Sequence, residues 1–238
     1  MIFTTDNKQF KYLPTFAMLL VTIKLVAMLF VGRNLLFGPF EMPGGIIPFC
    51  TTFLILDIVT NNYGLLNAKK LIFSLILCES VFSLIIYFTL HLTPFTNSHE
   101  LEYQLVTFPV IRLFFGSFFA TICAYFLNCY IFSKLYTLYS GRKLWLRCIL
   151  STAAGEIVFS IIWTFIYFHG NLQFNEKLLL IADQYLFKVL FEIITLPITY
   201  IIVYFLSKYE TPFDIKYVDL SETETDNISK TNNFKIFR

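Results

Sequence analysis

Residues 43–70, PGGIIPFCTTFLILDIVTNNYGLLNAKK, set a demand that few folds can meet. A Pro/Gly entry opens onto an apolar run as long as a helix, with one carboxylate, Asp57, inside it. The run ends in Asn61, Asn62, Tyr63, Gly64, Lys69 and Lys70. Thr60, Asn61 and Gly64 follow Asp57 at helical spacing, so one face of an otherwise greasy helix is polar. That face needs a partner or a purpose.

The rest of the chain is of the same kind. Of 238 residues, 57% are hydrophobic and 14% charged, and the mean hydropathy is +0.68; an ordinary soluble domain is about 25% charged. The solvent for most of the chain is therefore lipid, and the bilayer is its first partner. A net charge of +2 excludes a nucleic-acid binder on electrostatic grounds. The cysteines, Cys50, Cys78, Cys123, Cys129 and Cys148, are odd in number and hold no C-x-x-C pair, which points to free thiols rather than a disulfide framework or a zinc site. His91, His99 and His169 match no metal motif, so neither metal nor cofactor is expected. The chain carries no G-x-S-x-G elbow, H-E-x-x-H helix or P-loop, so it is read as a non-enzyme that does not hydrolyse ATP by the common route.

Six apolar runs, at about 12–31, 45–61, 71–92, 108–132, 144–168 and 178–206, predict an all-α integral membrane protein. A hydrocarbon layer of ~30 Å takes about 20 helical residues. The first run is too long for a signal peptide and ends without a small-residue cleavage pattern. The expected organisation is an N-terminal arm at 1–11, a six-helix domain at 12–208 and a polar, disordered tail at 209–238. Pro197 falls inside the last run and is expected to kink it.

The basic residues alternate with the runs. Lys8, Lys11, Lys69, Lys70, Lys134, Arg142, Lys143, Arg147 and Lys208 fall on one side, and only Arg33 and Lys177 on the other. The positive-inside rule then makes both termini cytoplasmic.

Inside the runs stand Lys24, Arg112 and Lys188 against Asp57, Glu79, Glu156 and Glu192. Each such group costs about 2.5–3.5 kcal/mol to insert, so it faces a partner or a wet cavity. Structural ion pairs are one reading: Lys188 and Glu192 are i,i+4 neighbours, and Arg112 is close enough to a helix end to snorkel outward. A polar pocket is the other. Thr152, Glu156, Ser160 and Thr164 repeat every four residues, as do Gln184, Lys188 and Glu192, which continue into Thr195 and Thr199. These stripes put Glu156 and Lys188 at mid-depth on different helices. Glu79, Ser83 and Tyr87 share a third face, and Gly116, Ala120 and Ala124 form a small-residue stripe suited to close helix packing. An Arg fork with carboxylate acceptors suits a flat polar heterocycle, on whose faces Phe or Tyr could stack.

Pro48-Phe49, the Asp57 of LILDIV, Tyr63-Gly64, Ala68-Lys69-Lys70, Arg112, the aromatic-rich end around Phe132, GRKLWLR, Ser151-Thr152 with Gly155, and FKVL around Lys188 followed by Pro197 occur as an ordered series. This series resembles the vitamin uptake transporter family, which includes the bacterial queuosine precursor transporters. The resemblance implies a six-helix importer in the bacterial inner membrane, and Asp57, Arg112 and Lys188 stand where that family places the same residue types. The sequence departs from it at Asn61 and Asn128, where acidic residues are expected, and at Phe159, where a carboxylate is expected one turn beyond the Asn/Gln position that Glu156 occupies.

The function expected from residues and resemblance together is import of a queuosine precursor, a 7-deazaguanine such as preQ0, preQ1 or queuine, for tRNA modification. The substrate-binding set is Asp57, Arg112, Asn128, Glu156, Lys188 and Glu192, with a coupling ion left open. Two alternatives are a substrate-binding subunit of an ATP-driven vitamin importer and a non-transporting membrane scaffold whose buried charges only pair helices.

Overall fold

The computed structural model describes residues 4–5, 8–37, 40–92 and 100–210. Most of the predicted tail, 211–238, and most of the predicted loop after His91, 93–99, lie outside the described residues. Two short antiparallel ribbons, β1 (Thr4–Thr5) with β2 (Lys8–Gln9) and β3 (Asn34–Phe37) with β4 (Phe40–Pro43), accompany five helices. These are α1 (Leu13–Phe30), α2 (Ile46–Leu90), α3 (Glu100–Leu138), α4 (Leu144–Tyr167) and α5 (Phe174–Tyr209). All five are long and apolar enough to cross a membrane. The protein is therefore a multi-pass, all-helical membrane protein.

The ribbons were not legible as periodic patterns. The β3–β4 hairpin joins α1 to α2 and explains the Pro-Gly-Gly entry. A Cβ on Gly45 would stand 2.2 Å from the Ala27 carbonyl oxygen, so only glycine lets α2 begin against the α1 backbone. Helix α3 also begins earlier than its apolar run, at Glu100 rather than near residue 108. Chain polarity there does not prevent helix formation, because water or headgroups satisfy the exposed turns.

Helix α2 has 45 residues, which at 1.5 Å per residue would make a rod of about 68 Å, more than twice a bilayer core. It is not a rod. Gly64 has φ 80° and ψ 168°, a backbone region essentially reserved for glycine, and divides the helix into two arms. Phe49 lies in one arm and Glu79 in the other, about 45 Å apart along a straight helix. Yet Lys24 Nζ sits 4.7 Å from the Phe49 ring centroid, and Glu79 is the carboxylate that acts most strongly on the same ammonium. The arms therefore fold back on one another beside α1.

Packing between helices follows membrane rules, where small residues and polar pairs replace the hydrophobic effect as the source of association. The interface of α3 with α4 is the most extensive. A Cβ on Gly155 would lie 3.0 Å from the Ala124 carbonyl oxygen and 3.1 Å from Asn128 Cβ, so α4 rests directly on the α3 backbone there. Gly116 faces Trp163 of α4 more loosely, at 3.5 Å. The stripe read from the sequence is thus a helix contact.

Polarity is inverted relative to a soluble bundle. Ile194, Leu179, Leu77 and Phe73 face outward, whereas Asp57, Asn128, Glu156, Ser160 and Thr164 are fully buried. Helix α5 runs on through Pro197, with Thr195 Oγ1 donating to the carbonyls of Phe191 and Glu192. At one end of the bundle the Tyr12 amide donates to a Glu210 carboxylate oxygen at 2.7 Å, which brings the start of α1 and the end of α5 together.

Candidate functional site

Five elements converge on one cleft. The α1 face brings Lys24, the first arm of α2 brings Phe49, α3 brings Ser117, α4 brings Phe159 and Trp163, and α5 brings Gln184 and Lys188. The cleft holds about 430 Å³ of empty space, its mouth included, within the range of small-molecule sites. Val31, Pro43 and Gly45 lie at the rim, so the opening is at the end of the bundle away from Tyr12 and Glu210.

Its floor is ionic and aromatic. Lys188 Nζ stands 2.9 Å from Glu156 Oε2 and donates to Ser160 Oγ at 3.1 Å. Lys24 Nζ donates to Thr121 Oγ1 at 3.2 Å. Both ammoniums face the same two rings, whose centroids are 4.3 Å apart. Lys24 lies 4.7 Å from Phe49 and 5.1 Å from Phe159; Lys188 lies 4.6 Å and 4.9 Å from them. The rings' negative faces thus help to hold two cations out of water. Gln184 is buried, and its amide nitrogen has no hydrogen-bond partner among the described residues. A free amide donor in a dry cleft is costly unless a ligand accepts from it.

A second group lies deeper. Ligand atoms of Asp57, Cys148 and Glu192 are all within 4.8 Å of one another and buried. The Cys148 thiol and the Asn128 amide approach the Asp57 carboxylate, yet neither carboxylate oxygen accepts a hydrogen bond of good geometry. Asn128 is fully buried, donates to Thr152 Oγ1 at 3.4 Å, and leaves its own Oδ1 unpartnered among the described residues.

The structure brings together five of the six residues expected from the sequence, in two adjoining groups. Glu156 and Lys188 form the cleft floor, and Asp57, Asn128 and Glu192 form the deeper group. Arg112 stands apart: it is half-buried, donates to the carbonyl of His169 beyond the end of α4, and does not line the cleft. Its place near a helix end explains this, since a guanidinium there reaches out to polar backbone more cheaply than into the bundle. The i,i+4 pairing of Lys188 with Glu192 is also corrected. Lys188 turns across to α4, where Glu156 and Ser160 together satisfy it, and Glu192 faces Asp57. The third polar face breaks up likewise, with Glu79 and Ser83 buried but Tyr87 exposed against His91.

Sequence reasoning missed Lys24, Gln184, Ser117, Phe49, Phe159 and Trp163 as cleft residues. Lys24 carried a signal, because a lysine in mid-membrane needs a reason; the aromatics carried none among 29 Phe. It also read Arg147 as a surface charge. That side chain is buried, donating to Asn61 Oδ1 at 3.0 Å and to the Gly141 carbonyl at 3.3 Å beneath the Phe132 and Tyr136 rings. Left-handed backbone at Ser140, Gly141 and Lys143 turns the chain so that Arg147 points inward.

A family model described as "Putative vitamin uptake transporter" matches residues 43–202. No curated protein and no solved structure gives a match to the chain.

Proposed function

The chain belongs to the vitamin uptake transporter family, and from that premise we propose that it imports a small, flat, uncharged heterocycle across a bacterial inner membrane. A queuosine precursor of the 7-deazaguanine class is the first candidate. The observation that carries this reading is the cleft floor: Lys24 and Lys188 over the Phe49–Phe159 pair, with Glu156 beside one lysine and an unpartnered Gln184 amide above. Two lysines balanced by Glu156 and Glu79 leave the floor near neutrality, which favours a neutral ligand. Planar rings stack on Phe159 or Trp163, and a purine-like edge offers acceptors to the Gln184 amide and Lys24. Among the residues expected to bind substrate, Glu156 and Lys188 meet it directly in this reading. Asp57, Asn128 and Glu192 act below it, and Arg112 fastens the outer end of α4.

Six crossings with both termini cytoplasmic are part of the proposal. The contact between Tyr12 and Glu210 supports an even number of crossings, and the break at Gly64 supplies the sixth segment from five helices. Lys11, Lys69, Arg142 and Lys208 then share the cytoplasmic side, and the cleft opens outward. The six-helix domain spans 12–208 between a short arm and a polar tail.

The test is the queuosine content of tRNA in a bacterium that neither makes the precursors nor has its own importer. At limiting external precursor, this gene restores queuosine, and Lys188→Met at equal membrane abundance does not. Absence of restoration with every precursor, with the protein present in the membrane, overturns the substrate assignment.

A further inference from the structure

The charges inside the bundle do not balance. Lys24, Lys188 and Arg147 stand against Asp57, Glu79, Glu156 and Glu192. Lys188 is committed to Glu156 at 2.9 Å, and Lys24 answers Glu79. Arg147 is the cation that acts on Asp57. Lys177 is also buried, but it lies against Phe165 and fifteen residues before Glu192, about 22 Å along α5. Glu192 therefore has no cation of its own among the described residues, and one negative charge remains in a region without water.

The surroundings of that charge are built of oxygen donors. Asp57 contributes two oxygens without a well-formed hydrogen bond, Glu192 contributes Oε1 and Asn128 contributes Oδ1, all unpartnered and all on buried side chains. They come from three helices, α2, α3 and α5, while α4 presents Cys148, Arg147 and Glu156 around them. A hard cation about 2.4 Å from each ligand allows two ligand atoms to stand up to about 4.8 Å apart, and the atoms of Asp57, Glu192 and Cys148 lie within 4.8 Å of one another. The thiol is a soft, weak partner for such an ion, and it serves instead as a donor toward Asp57.

We propose that Asp57, Glu192 and Asn128 form the binding site of one monovalent cation, sodium or a proton, directly below the substrate cleft. A single positive charge brings the four carboxylates and three cations to neutrality; a divalent ion would overshoot. The site joins the first arm of α2 to α3 and α5, so filling it draws together three of the helices that line the cleft. As the driving ion of an importer the cation rests on the reading above. Its binding does not.

The experiment uses the full chain purified in detergent, with no substrate present, so that its failure is distinct from failure of the importer reading. Thermal unfolding is followed across sodium chloride at constant ionic strength with choline chloride, and separately across pH without sodium. Sodium as occupant predicts a saturable rise in Tm of roughly 5–10 °C at a hundredfold excess over Kd. A proton predicts that rise on lowering pH, without sodium. In either case Glu192→Gln, which removes the unbalanced charge while keeping the shape, loses the response. Asn128→Ala, which removes a ligand and no charge, weakens it and shifts the midpoint to higher cation concentration. The proposal is overturned by three results: a wild-type Tm indifferent to both, an equal response in Glu192→Gln, or stabilisation by calcium or zinc and not by sodium or protons.

Discussion

Replacing Lys188 by methionine isolates the value of the cleft's ion pair. The Lys188 ammonium lies 2.9 Å from Glu156 Oε2, and the two side chains are 2% and 1% exposed. At an effective dielectric of about 20, opposite charges at that distance attract by about 6 kcal/mol. Much of this is offset by the cost of taking both ions out of water, so the intact pair adds little net stability. Removing one partner is different, because Glu156 keeps its burial and loses its counter-ion. Lys188→Met should therefore cost about 3–5 kcal/mol, while Lys188→Met with Glu156→Gln should recover most of that loss. Thermal unfolding of the purified protein in detergent measures both. The expected order is wild type close to the double variant, with the single variant lower by on the order of 10 °C. Uptake separates the roles further: the double variant keeps its fold and loses transport if the pair meets substrate. A double variant as unstable as the single one would refute the charge argument, and one that transports normally would reduce the pair to a helix clamp.

Further substitutions address the scaffold and the cleft. Gly64→Ala forces a side chain into backbone at φ 80°, ψ 168° and should destabilise by about 1–3 kcal/mol in the same unfolding assay; an unchanged Tm would mean the break is not glycine-dependent. Gly155→Ala drives a methyl to 3.0 Å from the Ala124 carbonyl and should cost about 1–3 kcal/mol, whereas Gly116→Ala, at 3.5 Å from Trp163, should be tolerated; equal effects would contradict the difference in helix approach. Gln184→Leu keeps the cleft's bulk and removes its free amide donor. It should raise the KM for uptake about tenfold with unchanged abundance, as expected for one lost hydrogen bond of about 1.4 kcal/mol.

Hydropathy and spacing carried most of the architecture, because lipid imposes a length and an apolar character on every crossing. The apolar runs became α1 to α5, and the polar stripes on α4 and α5 became the inward faces that hold Glu156, Ser160, Gln184 and Lys188. Even the Tyr63-Gly64 exit from the Asp57 run marked the break in α2. Local pattern gave no access to pairing between helices. Lys188 has two acidic candidates, one on its own helix and one across the bundle, and only tertiary packing selects Glu156. Lys24 is a lone lysine in α1 whose partners, Thr121 and Glu79, are far away in sequence. Arg147 follows a basic turn and reads as a surface charge, but the left-handed residues before it direct the guanidinium under Phe132. Phe49 and Phe159 differ from the lipid-facing phenylalanines only in what packs beside them.

Transport by the purified protein tests the central claim most directly. Reconstituted into liposomes, the wild-type chain should accumulate a labelled 7-deazaguanine base saturably. Guanine-sized planar competitors should reduce the signal, charged nucleotides should not, and Lys188→Met should abolish it. Protein-containing liposomes that take up no more than empty ones, under sodium and proton gradients alike and with the protein shown to be folded, would contradict the account.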